Sequence, residues 1–159
     1  MGWLSDSAQI ATAAGLFVLA GQLRAARSTQ RAAFEQTFAT RYAAIIDRIP
    51  FEELVGSATS PSRASLRHYY DYFGLCEEQL YYRARRKVSY STWCDWWAGI
   101  TINMCRPAFD GAWRQLREQT GHFDLMAVAI DNTEGTHSCY DPPRAPRKAT
   151  RSATIRVSE

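Results

Sequence analysis

From Asp6 to Ile49 the chain contains no proline, and between Asp6 and Arg24 it carries no charge. Without a breaker, the backbone of this segment is free to run as one helix. Its uncharged part, Ser7 to Leu23, is about 17 residues, the lower limit for a helix crossing the bilayer core. The expectation is therefore a transmembrane helix over 7–23 that continues into a helical domain.

The flanks set an orientation for such a span. Asp6 precedes the run, Arg24, Arg27 and Arg31 follow it, and Trp3 lies where an amphipathic ring sits at headgroup level. That asymmetry predicts a single-pass protein of the cell membrane with its C-terminus in the cytoplasm. No basic residue precedes the run, as a signal peptide would require, and Asp6 occupies the position where a myristoylation signal has Ser or Thr. Against the span stand Gln9, Thr12 and Gln22, together with the prevalence of alanine over leucine. Ala13, Phe17 and Gly21 leave room for close helix contact, which admits a homo-oligomer.

Behind the run, aromatic and aliphatic residues recur at helical spacing. Phe34, Phe38, Tyr42, Ile45 and Ile49 form one stripe, which Pro50 ends. Ser60-Pro61 predicts the start of a second helix reaching about Arg86, with Leu66, Tyr69, Phe73, Cys76 and Leu80 facing inward. A third begins at Ser91 and carries Trp93, Trp96, Trp97 and Ile100; Arg106-Pro107 breaks it. Phe109, Trp113 and Leu116 stripe the next helix, closed by Gly121, and 123–130 reads as a final helix. The fold class is all-α: a cytoplasmic bundle of about four helices over 24–132, with Phe73, Trp93, Trp97, Phe109 and Trp113 in its core. From 133 to 159, prolines alternate with basic residues, and little apolar surface offsets the entropy of ordering, so a disordered basic tail is expected.

Charge and cysteines narrow the chemistry little. The net charge is +3, and Lys87 and Lys148 are the only lysines. Arg83, Arg85, Arg86 and Lys87 crowd one helix end, where cations complement the helix dipole; the alternative is binding of an anionic partner. Cys76, Cys94, Cys105 and Cys139 include no C-x-x-C pair and read as buried thiols in a reducing compartment. His137 and Cys139 supply two ligands of an incomplete set, so no metal and no cofactor are expected. Nor does any catalytic motif stand out. Glu77 and Glu78 are adjacent and point in different directions on a helix.

The block Tyr72-Phe73-Gly74-Leu75-Cys76-Glu77-Glu78, with Trp93, Trp97, Arg106-Pro107-Ala108-Phe109 and Trp113, resembles a loose set of small bacterial and phage-borne proteins of unknown function. The resemblance implies one N-terminal membrane helix joined to a cytoplasmic helical domain, and carries no activity. Function is thus expected to be that of a membrane-anchored interaction or regulatory module, with the lipid bilayer, a second copy or another protein as partners. The alternative is a nucleotide- or nucleic-acid-responsive membrane effector in phage defence or counter-defence. The weakest reading is a hydrolase using Glu77 or Glu78.

Overall fold

A computed structural model describes residues 3–133 and 139–145, with side chains from residue 19 onward. The described residues form α1 (Trp3–Ile46), α2 (Phe51–Leu54), α3 (Leu66–Ala84), α4 (Tyr90–Met104), α5 (Pro107–Thr120) and α6 (Asp124–Asp131). The fold is all-α, with six helices rather than about four. The element not expected from the sequence is the one-turn α2 after Pro50.

α3 is the central element, packed against α1, α4, α5 and α6. Its sequence explains this position, because Tyr69, Tyr72, Phe73, Leu75, Cys76 and Leu80 are all buried and together occupy more than one helical face. Phe73 meets the rings of Tyr72, Trp113 and Phe123 edge-on at centroid distances of 5.4, 5.2 and 6.1 Å. Tyr69 meets Phe109 at 4.9 Å in the same way. Such edge-to-face pairs match the electron-poor ring edge to the electron-rich face.

α1 is a single helix of 44 residues, about 66 Å long at the usual rise. Its C-terminal part docks: Phe34, Phe38, Ile45 and Ile46 turn toward the domain, whereas residues 19–33 are all exposed. The membrane expectation is corrected at this point. Among the described residues no helix is long and apolar enough to cross a membrane. α1 has the length, but alanine contributes little transfer energy, and Gln9, Thr12 and Gln22 interrupt the run. The transmembrane assignment of 7–23, the bilayer as partner and the single-pass localisation with a cytoplasmic C-terminus all fall with it.

The connections show which local signals operate. α3 begins at Leu66, not near Ser60, because Glu53 of α2 organises the intervening turn. Its carboxylate accepts from the Ser62 backbone N–H (3.0 Å) and the Ser65 hydroxyl (2.7 Å). Desolvation pushes that buried carboxyl up, but the hydrogen bonds from Ser65 and Ser62 outweigh it and leave it below its ordinary range. Ser89 caps α4 by accepting from the Thr92 N–H, and Pro107 occupies the first turn of α5. Gly121, at φ 64°, closes α5.

Two side chains accept the left-handed backbone that glycine usually takes. Phe123, at φ 70°, turns the chain into α6 and buries its ring beside Phe73 and Trp113. It has no side-chain oxygen to cap the helix, so Glu77 of α3 does so, accepting from the N–H groups of Leu125 (3.0 Å) and Met126 (2.8 Å). Arg86, at φ 57°, ends α3: its N–H reaches Arg83 O, and the Lys87 N–H reaches Tyr82 O. These are the paired bonds of a Schellman motif.

Residues 139–145, expected in a disordered tail, instead form a strap across α3 and α4. Cys139 is disulfide-bonded to Cys94, the Tyr140 carbonyl accepts from the Trp93 indole at 2.5 Å, and Ala145 N–H donates to Ala84 O at 3.0 Å. The reading of all four cysteines as thiols is corrected; Cys76 and Cys105 are free. The remainder of the expected tail, 134–138 and 146–159, lies outside the described residues.

Candidate ligand-binding cavity

Where α1 settles on α3 and α4 it leaves a cavity of about 290 Å³. α1 contributes Phe38, Ala39 and Tyr42; α3 contributes Tyr72, Cys76 and Gln79; α4 contributes Asp95, Trp96, Gly99 and Ile100. The walls are mainly aromatic and aliphatic, with Phe38 and Trp96 rings tilted against each other at 5.2 Å. The gap arises from side-chain size: Ala39 on α1 and Gly99 on α4 are small where neighbouring turns carry rings. A Cβ added at Gly99 would meet nothing within 4 Å.

Gln79 is the distinctive polar group here. It is 6% exposed, yet among the described residues its amide makes no hydrogen bond. Its amide atoms are not among the fully enclosed, unpaired side-chain atoms, so they open on the cavity, where a ligand can bond them. Its polar neighbours behave differently. The Tyr72 hydroxyl accepts from Asn103 Nδ2 at 2.9 Å, and Asn103 Oδ1 accepts from Arg106 at 2.8 Å. Burial pushes the Cys76 thiol up to about 12, so it is an unreactive wall rather than a nucleophile. Asp95, exposed on α4, is the one charged side chain lining the cavity, and it forms no ion pair among the described residues.

The basic cluster at the end of α3 is distributed among separate tasks. Arg83 is buried, with a two-pronged pair to Asp141 (2.7 and 2.9 Å) and a bond to Val88 O at 2.9 Å. Arg86 joins the same carboxylate at 2.7 Å. The hydrogen bond from Arg83, assisted by Arg86, holds the Asp141 carboxyl below its ordinary range. The Arg85 guanidinium lies 3.5 Å from the centre of the Tyr81 ring. Arg86 and Lys87 also border a groove with Arg27, Arg31, Phe34 and Tyr82.

Of the residues read as core, Phe73, Trp93, Trp97 and Phe109 are buried and Trp113 is half-buried against them. Glu77 is committed to capping α6, and Glu78 pairs with Arg41 at 2.7 Å. No group of three or more metal-ligating side chains occurs among the described residues, and His137 lies outside them.

The cavity was missed in the sequence because its walls come from three separated helices. One signal was available: Gln79 sits one turn beyond Cys76, a polar side chain at a core-facing position.

No family model matches the chain, and no curated protein or solved structure matches it either. The resemblance to small bacterial and phage-borne membrane proteins does not hold. No family match supports it, and the membrane helix that defined it is not found among the described residues. The membrane-anchored module and the nucleotide- or nucleic-acid-responsive effector lose their basis with it.

Proposed function

We propose that this chain is a helical ligand-binding domain whose ligand occupies the cavity between α1, α3 and α4. The observation that carries this reading is the Gln79 amide, which lines a mainly apolar pocket and makes no hydrogen bond among the described residues. A few polar groups set in an apolar concavity are the usual make-up of a small-molecule site, the apolar wall supplying affinity and the polar group fixing orientation. A cavity of about 290 Å³ suits a ligand with a single ring. The ligand's own donor or acceptor would then satisfy the Gln79 amide.

Isothermal titration of the full chain with 2-phenylethanol provides the test. Saturable one-to-one binding is expected in the millimolar range or tighter, given a ligand of about nine non-hydrogen atoms. Gly99→Leu, which directs a larger side chain into free space, is expected to abolish binding while leaving the melting temperature unchanged or higher, since glycine costs about 1 kcal/mol in a helix. Absence of saturation in the wild type, or undiminished binding by Gly99→Leu, would overturn the reading.

A further inference from the structure

The charge around this cavity is one-sided, and from it we infer that the ligand is a small organic ammonium ion carried on an aromatic body. The inference rests on the cavity reading and adds the ligand's charge and shape. Asp95 supplies a carboxylate at the lining with no partner among the described residues. The nearest cation on α1, Arg41, does not line the cavity, because it is turned to Glu78 at 2.7 Å. An anionic ligand would meet repulsion from Asp95, and a neutral one would leave its carboxylate to water.

The rings strengthen the case for a cation. Phe38, Tyr42, Tyr72 and Trp96 line the cavity from all three helices, and the face of an aromatic ring attracts positive charge. Phe38 already accommodates one guanidinium, that of Arg41, 5.4 Å from its centre. A primary ammonium has donors for both Asp95 and the Gln79 amide oxygen, so one group answers both polar features of the wall. The remaining Cys76, Gly99 and Ile100 surface suits the ligand's ring, which a linear alkyl stem such as a lysine side chain would fill poorly.

The test compares isosteres by isothermal titration at neutral pH: 2-phenylethylammonium, 2-phenylethanol, 3-phenylpropionate and n-butylammonium, each against the full-length wild type and Asp95→Asn. The ammonium ion is expected to bind about tenfold more tightly than the alcohol, combining a carboxylate pair with cation–π contact. The carboxylate should bind most weakly, and Asp95→Asn should remove the ammonium's advantage over the alcohol. Equal affinity of alcohol and ammonium in the wild type, or an advantage that survives Asp95→Asn, overturns the ammonium assignment with the cavity reading intact. Tighter binding of n-butylammonium than of 2-phenylethylammonium overturns the aromatic body. Failure of 2-phenylethanol to saturate the wild type overturns the cavity reading itself.

Discussion

Phe73→Ala is expected to lower the stability of the full chain by about 3–5 kcal/mol, the range for deleting a buried aromatic ring. Phe73 is fully buried at the centre of α3, with Tyr69, Tyr72, Trp113 and Phe123 around it. Removing its ring withdraws one partner from each of these contacts. The neighbours are rings fixed on α3 itself, on α5 and at the start of α6, so the space closes poorly and a cavity term adds to the lost transfer energy. Phe123 is affected most, because its left-handed backbone is maintained by what its ring buries. Urea denaturation measures the effect, and a change below about 1 kcal/mol would show that α3 is not the keystone of this core.

Asp141→Ala is expected to cost about 3 kcal/mol, since among the described residues it leaves the buried Arg83 guanidinium with the Val88 carbonyl and the Tyr90 ring as partners. The lower end of the range for breaking a buried ion pair applies, because Asp141 is 33% exposed and partly screened by water. The pH dependence has a definite sign. Arg83 and Arg86 hold the folded-state pKa of Asp141 below its unfolded value of about 3.9. Its contribution is therefore fully present above that value and is lost as pH falls through the folded pKa. Wild type and variant should differ most near neutral pH and converge on acidification below about pH 4. A difference that grows toward low pH would contradict the pair.

Much of the helical architecture was legible because it rests on local rules. The stripe from Tyr69 to Leu80 marks a helix that must be covered, Pro107 separates α4 from α5, and Gly121 takes the conformation that ends α5. Other features depend on partners distant in sequence. Ser60-Pro61 has the composition of a helix start, but the Glu53 carboxylate holds Ser62 and Ser65 in a turn, and α3 begins only afterward. Cys139 and Asp141 stand in a proline-rich, basic segment with no periodicity. Their partners Cys94 and Arg83 lie 45 and 58 residues away, beyond any local pattern.

The same limit explains the membrane misreading and is seen again in the basic cluster. An uncharged run has the length of a membrane span whether or not its residues favour lipid, and α1 separates the two properties by being long and alanine-rich. Arg83, Arg85, Arg86 and Lys87 read as one basic end, but α3 terminates among them. Two guanidiniums thereby reach Asp141, that of Arg83 from a buried position and that of Arg86 from a left-handed turn, while that of Arg85 lies over Tyr81. Gln79 and Asp95 drew no notice because each is ordinary on its own helix. They acquire meaning only when α1 covers the space they line.

The central claim is that a ligand in this cavity satisfies Gln79. The most direct measurement follows the Gln79 side-chain NH₂ resonances in protein with 15N-labelled glutamine, assigned through Gln79→Met, during titration with 2-phenylethylammonium. The account predicts that these two amide protons shift saturably, with the dissociation constant found by calorimetry, and that Gly99→Leu suppresses the shift. Binding detected by calorimetry while the Gln79 resonances stay fixed would place the ligand elsewhere and contradict the account.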